Sequence, residues 1–270
     1  MGGYFPLPVR RDERVSVQSL KTFTRPRCGL IKGGVCMNGK QRFIQKQNIT
    51  VVFLAKFGFS TRNIICTLLN VSTTSQKYFF DTLISQGLVE VKRIPAVKHD
   101  LLILTQDGLR LAEIVDPGMK VKAIRKYSLP YLIHTYSIQS FIARNIDLIK
   151  EWRSEAEMAD MHFHRRPDLL YHAEDFTAAL EIELNRKSAD RVYYNYQQHI
   201  QDWQKGRFTF VDYRLADENM LNFYKGLHDK ESWPLYKLEG VKLRAVDQYD
   251  PSAAKRAGLF NFRINQPYSL

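Results

Sequence analysis

Residues Arg166–Lys187 read RPDLLYHAEDFTAALEIELNRK, and the rest of the chain takes its meaning from them. Two strand-like runs, Asp168–Tyr171 and Thr177–Leu184, flank a polar turn of His172, Glu174 and Asp175. In the second run Leu180, Ile182 and Leu184 point one way and Glu181 and Glu183 the other, because side chains alternate along a strand. Antiparallel pairing about the turn places Asp168 diagonal to Glu181, with diagonal neighbours on one face roughly 7 Å apart. Asp168, Glu181 and Glu183 then share one edge. Carboxylates crowded in this way repel unless a cation sits among them, and an oxygen-only donor set suits Mg²⁺ or Mn²⁺. Lys187, just past the strand end, can bring a positive charge to the same place. The plainer alternative is an acidic hairpin face turned to water.

This stretch resembles the core motif of the PD-(D/E)XK nuclease superfamily, in which Pro-Asp precedes a strand carrying Glu-x-Lys. Pro167, Asp168 and Glu181 match; Glu183 stands where Lys is usual. Some members of the superfamily carry Glu-x-Glu, and some take the Lys from a later position. The resemblance implies metal binding by Asp168, Glu181 and Glu183, with Lys187 stabilising charge. The departure at Glu183 leaves the role of Lys187 open.

Composition narrows the partners. The chain has 270 residues, enough for one large domain or two small ones. Its net charge of +12 and pI near 9.5 point to a polyanion, nucleic acid before membrane. No apolar run approaches the length of a spanning helix, and MGGYFPLPVRRDER lacks the apolar core of a secretory signal. Cys28, Cys36 and Cys66 suggest neither a zinc site nor a disulfide framework, and free thiols fit a reducing cytoplasm.

Residues 1–46 hold ten Lys or Arg against Asp12 and Glu13, which reads as a basic arm ordered on DNA or as a solubilising tail. Residues 47–117 read as a winged helix-turn-helix. A short helix over Val51–Phe57 is followed by one capped by Ser60, then by a third capped by Ser72 and stopped at Gly87. Strands Leu88–Val91 and Leu101–Leu104 flank a basic wing, Lys92–His99, and Thr105 caps a closing helix over Asp107–Val115. In such folds the third helix enters the major groove. Ser75, Gln76 and Lys77 would then face DNA, with Lys92, Arg93 and Lys98 on the wing, unless the module serves protein contacts instead.

Residues 118–130 read as a basic linker. Within residues 131–246 the pattern gives a helix over Leu129–Ile149, a strand near Trp152–Met158, the hairpin, and a helix from Ser188 to about Trp203. A strand Arg207–Tyr213, a helix Glu218–Leu227 and a short strand Val241–Val246 follow, as a three-layer α/β domain requires. His134 reads as a partnered core or interface histidine. Residues 247–270 read as a loose tail. The fold class is therefore mixed α and β: an N-terminal winged helix-turn-helix, then a PD-(D/E)XK-like α/β domain.

The order winged helix, "RPDLL…LEIELNRKS", Tyr-rich helix resembles the replication-relaxation family, and especially the MobC-type relaxases of mobilisable plasmids, over about residues 47–215. That resemblance implies a DNA relaxase that recognises a plasmid transfer origin and nicks one strand. It also implies a divalent metal and, as partners, an accessory mobilisation protein and a type IV coupling protein. A rival chemistry rests on His162-Phe163-His164, which matches the His-hydrophobe-His of relaxases with a Tyr nucleophile, the part falling to Tyr193, Tyr194 or Tyr196. Against it, no third His ligand is evident, and Tyr193 and Tyr194 read as exposed packing or DNA-stacking residues. A third possibility is a DNA-binding regulator whose nuclease fold is inactive, and a fourth is an endonuclease that cuts both strands.

Overall fold

The computed structural model of the chain describes residues 38–95, 97–122 and 128–265, and the fold is mixed α and β. The first helix, α1 (Gly39–Phe57), starts at Asn38, whose side chain accepts from the Gln41 amide while Gln41 reaches back to the Asn38 amide. This capping box carries the helix well upstream of the apolar run at Val51. Residues 39–46 therefore belong to α1 and not to a separate arm. Residues 1–37 lie outside the described residues.

Next come β1 (Ser60–Thr61) and α2 (Arg62–Leu69), capped by Thr61 and not by Ser60. A 3₁₀ turn, Thr74–Gln76, leads into α3 (Lys77–Ser85), which stops at Gly87 with φ +67°. The strands β2 (Val89–Lys92) and β3 (Leu101–Leu104) form an antiparallel hairpin, and β1 adds to the other edge of β3. Helix α4 (Gln106–Val115), capped by Thr105, closes the unit against α1. Gly108 is required there: a Cβ at that position would meet the Leu88 carbonyl oxygen at 2.0 Å. Lys122, beyond this unit, donates its amide to the Ala55 carbonyl.

A mixed five-stranded sheet forms the rest of the molecule, in the order β10-β7-β6-β5-β4. Its strands are β4 (Glu151–Ser154), β5 (Leu169–His172), β6 (Thr177–Glu183), β7 (Phe210–Leu215) and β10 (Phe260–Ile264). The meander β4-β5-β6 is antiparallel; β7 runs parallel to β6 and β10 parallel to β7. Helix α5 (Leu129–Arg144) covers one face, packing on Leu180 and Ile182 of β6. Helices α6 (Ala189–Gln204) and α7 (Glu218–His228) cover the other, where Ala179, Val211 and Tyr213 are buried. The sheet therefore has helical layers on both sides.

The core under α5 runs without interruption into the N-terminal unit. Phe57 stacks on Trp152 with ring centroids 5.4 Å apart, and Ser60 donates to the buried Gln139 of α5 at 2.8 Å. Lys56 pairs with Glu157 at 2.8 Å and sits 5.0 Å from the centre of the Trp152 ring. The two units are thus packed together around shared apolar and polar contacts.

Two expectations fail in the C-terminal third. A strand absent from the sequence reading, β8 (Trp233–Glu239), pairs with β9 (Lys242–Tyr249) in a hairpin. Gln197 of α6 anchors it, donating to the Pro234 carbonyl and accepting from the Tyr236 amide. The segment read as a loose tail holds α8 (Ser252–Arg256) and then β10, an edge strand of the main sheet. Leu259 and Phe260 are buried, and Phe260 packs on Tyr196 at 4.7 Å. The apolar positions of β10 find their partners only on β7 and α6, so the short run Leu259–Ile264 was too brief to stand out by itself.

Candidate active site

Pairing of β5 with β6 sets the geometry. Leu169 opposes Leu180 in the last pair of the ladder, and just before it the Asp168 amide donates to the Leu180 carbonyl at 3.0 Å, which holds Asp168 beside the Leu180–Ile182 segment of β6. Alternation along β6 sends Leu180 and Ile182 toward α5 and Glu181 and Glu183 toward α6. That part of the sequence reading holds. The acidic face is not turned to water, however: Glu181 is 1% and Glu183 4% exposed.

Burying carboxylates costs several kcal/mol each unless they are paired, and each one here has a partner. The Arg165 guanidinium donates to Glu181 at 2.5 Å and lies 3.9 Å from Glu183. Lys187 forms a close ion pair with Glu183. Asp168 accepts from the Ile182 amide at 2.7 Å. Nε2 of His134, on α5, stands 3.2 Å from both Asp168 Oδ2 and the Ile182 carbonyl; both are acceptors, so Nε2 carries the proton. The fully buried His199 of α6 brings its Nε2 to 3.2 Å from Glu181 Oε1, off the line of a well-formed hydrogen bond.

The electrostatics follow from these partners. Burial pushes the Glu181 carboxyl up, but Arg165 and His199 outweigh it and hold the group at about 2. Glu183 goes the other way: burial, with Glu181 beside it, raises its carboxyl above the usual range despite Lys187. Burial lowers the His134 imidazole, and the Asp168 carboxylate more than restores it, so the net direction is upward.

Asp168, Glu181, Glu183 and Lys187 all line one cavity of about 700 Å³, together with His134 and Arg165. Its other wall is apolar and includes Leu129 and Ile133 of α5. Arg165 escaped the sequence reading because it precedes the Pro-Asp pair and reads as one of a basic run. What aims it is Asp202 of α6, fully buried, whose carboxylate accepts from the His164 and Arg165 amides at 3.0 Å each. Nothing in the sequence links position 202 to position 165.

The donor set fits a hard divalent cation in kind. Three carboxylates face one cavity, and the Arg165 guanidinium lies against Glu181 and near Glu183. Among the described residues, however, no three His, Cys, Asp or Glu side chains stand close enough together to enclose a metal.

Two of the three tyrosines of the rival constellation are buried and bonded to main-chain carbonyls. Tyr193 is 2% exposed and donates to the Leu227 carbonyl at 3.2 Å, which corrects its expected place on the exposed side of the helix. Tyr196 is fully buried and donates to the Tyr224 carbonyl at 3.2 Å. Tyr194 remains half-buried beside Arg191. His164 pairs with Lys205 at 2.6 Å, and His162 takes a left-handed turn with φ +51°.

In the N-terminal unit, Ser75 and Gln76 lie in the 3₁₀ turn before α3, and Lys77 begins that helix. Gln76 accepts from Lys46 at 3.0 Å, Lys77 pairs with Asp81 at 2.6 Å, and Tyr78 is 79% exposed. Lys92, Arg93 and Lys98 are exposed at the β2–β3 hairpin, with Arg93 paired to Asp100 at 2.9 Å. No helix among the described residues is long and apolar enough to cross a membrane.

No family model matches the chain, and no curated protein does. Among solved structures, the chain is similar to the zinc-responsive MarR family member ZitR of Lactococcus lactis. That match has 21% identity and a TM-score of 0.24, covering 32% of this chain and 56% of that one. A variant of ZitR matches at 21% identity and a TM-score of 0.25, covering 32% of this chain and 57% of that one.

Proposed function

We propose that the chain is a metal-dependent DNA endonuclease whose N-terminal unit reads DNA as a winged helix-turn-helix and whose pocket breaks one strand, as a PD-(D/E)XK-type relaxase does at a plasmid transfer origin. The observation that carries this reading is the convergence of Asp168, Glu181, Glu183 and Lys187 on one cavity in a strongly basic chain. The helical layers on both faces of the sheet support the PD-(D/E)XK part. The order helix, helix, helix, β-hairpin, helix supports the winged-helix part. The accessory mobilisation protein, the coupling protein and the cytoplasmic setting rest on the sequence resemblance.

Mg²⁺ or Mn²⁺ held by Asp168, Glu181 and Glu183 would neutralise the scissile phosphate and lower the pKa of a bound water. The remaining work falls to the protein. Asp168 is kept in place by the Ile182 amide and by His134, so its carboxylate faces the cavity without rotating away. Lys187 stands at the carboxylate edge, where its ammonium stabilises the negative charge that grows on the phosphate oxygens. Arg165 supplies a planar fork that matches phosphate geometry. Leu129 and Ile133 of α5 give the other side of the cavity an apolar lining.

A second reading, a DNA-binding regulator without catalysis, is favoured by one observation: every carboxylate already has a partner within the protein. Relaxation of supercoiled plasmid carrying a transfer origin, with Mn²⁺ or Mg²⁺, separates the two. The nuclease reading expects nicking by the natural chain. It expects a loss of at least about 10²–10³ in rate for Asp168→Ala, with DNA affinity retained. An Asp168→Ala protein that nicks at the natural rate removes the carboxylates from the chemistry, and a natural chain that binds DNA but never nicks supports the regulator.

A further inference from the structure

The guanidinium of Arg165 occupies an unusual position. It sits inside the carboxylate cluster, 2.5 Å from Glu181 and 3.9 Å from Glu183, yet its side chain is 21% exposed to the cavity. Its Nε has no hydrogen-bond partner among the described residues, so the fork is only partly engaged. The main chain beneath it is fixed, because Asp202 holds the amides of His164 and Arg165. The backbone of Arg165 is thus anchored independently of its guanidinium. Lys187 is paired with Glu183.

Counting formal charges, Asp168, Glu181 and Glu183 contribute three negatives, and Arg165 and Lys187 two positives. A phosphodiester entering the cavity adds another negative charge. It also offers two oxygens in the planar geometry that a guanidinium binds best, and a guanidinium is desolvated more readily than an ammonium. Drawing Arg165 onto the phosphate leaves Glu181 and Glu183 short of the cation that now separates them. A divalent ion would restore that charge.

We propose that Arg165 is a displaceable internal cation: it closes the carboxylates to a divalent metal in the free protein, and a DNA phosphate pulls it away, so that DNA binding and metal binding promote each other. The proposal rests on the reading of the pocket as a metal-dependent phosphodiester site. It goes beyond that reading by making the metal site conditional on the substrate. Linkage requires the effect to be reciprocal, with DNA tightening metal and metal tightening DNA by one common factor, typically 5–150-fold.

The test is Mn²⁺ affinity, read from the electron paramagnetic resonance signal of free Mn²⁺. It uses the full chain with and without a cleavage-resistant phosphorothioate oligonucleotide, corrected for Mn²⁺ held by the oligonucleotide alone. The natural protein should bind Mn²⁺ about tenfold or more tightly when the oligonucleotide is present. Arg165→Met should bind Mn²⁺ tightly in both conditions, close to the DNA-bound natural protein. The proposal is overturned if Arg165→Met binds Mn²⁺ no more tightly than the natural protein alone. It is overturned equally if the natural protein binds Mn²⁺ with the same affinity in both conditions. If folded natural protein takes up no Mn²⁺ at millimolar concentration in either condition, the metal-dependent reading of the pocket fails first, and the proposal with it.

Arg165→Met leaves Glu181 buried without its counter-ion and can fail to fold, so a second measurement needs no substitution. Phenylglyoxal modification of Arg165 in the natural chain, followed by peptide mass spectrometry, should be faster with saturating Mn²⁺ than without it. An unchanged rate at Arg165, with surface arginines modified equally in both samples, counts against displacement.

Discussion

Glu181 and Glu183 lie two residues apart on one strand and carry opposite electrostatic consequences. Arg165 and His199 hold the Glu181 carboxyl at about 2, below its unfolded value near 4.3. Its pairing therefore stabilises the fold in full above about pH 4.3, and that contribution is lost as pH falls toward about 2. Glu183 has its carboxyl raised by burial, so its contribution has the reverse sign: present below the unfolded value and lost as pH rises through the folded one. Removing one partner of a buried pair costs about 3–5 kcal/mol. At roughly 2–4 °C per kcal/mol, Glu181→Gln should lower Tm at pH 7 by on the order of 10 °C. Glu183→Gln should leave Tm unchanged or raise it, because it removes a charge that burial disfavours. Thermal unfolding followed by circular dichroism decides this, and equal losses for the two variants would refute the assignment of Arg165 chiefly to Glu181.

Two elements carry separate expectations. On the proposed reading of α3 as a recognition helix, Ser75, Gln76 and Lys77 stand at its start, the part that would contact base edges. Base contacts specify and phosphate contacts position. Replacing Gln76 and Lys77 together with Ala should thus cost preference for the cognate site by about 1–3 kcal/mol per lost base contact, with a smaller loss on random DNA. Matching losses in competition binding would take these residues out of base readout. Strand β10 is the second case. It lies parallel to β7 from Phe260↔Val211 to Ile264↔Leu215, and it buries Leu259 and Phe260. Truncation after residue 250 should therefore expose Tyr196 and Tyr213, abolish cooperative unfolding and give insoluble protein. A soluble truncated chain with the natural Tm would show that β10 adds nothing to the sheet.

For the molecule as a whole, the charge is the dominant physical fact. Of the net +12, residues 1–37 supply Arg10, Arg11, Arg14, Lys21, Arg25, Arg27 and Lys32 against Asp12 and Glu13, seven positives less two negatives, or +5. The deletion that tests their part in the proposed DNA binding must stop at residue 37, since α1 and its capping box begin at Asn38. Each phosphate contact contributes a slope of about −0.9 to log affinity against log salt. Removing residues 1–37 should flatten the measured slope by several units and weaken binding at low salt. An unchanged slope would show that these charges do not meet the DNA.

Much of this was legible in the chain itself. Periodicity placed the third helix, its glycine stop, the β2–β3 hairpin and the β5–β6 hairpin close to where they lie, because local sterics and alternation act over a few residues; Ser72, expected to cap the third helix, does not, since a 3₁₀ turn intervenes and α3 starts at Lys77 with no side-chain cap. Alternation alone put Glu181 and Glu183 on one face and opposite to Leu180 and Ile182. Other features depend on contacts between residues far apart. The burial of that acidic face, the aim of Arg165 through Asp202, the approach of His134 and His199, and the addition of β10 beside β7 are set by packing across the sheet. Burial explains why no local pattern could reveal them: it is a burden on a carboxylate that only a cation from another element relieves, and the sequence records which residues are charged but not which of them will meet.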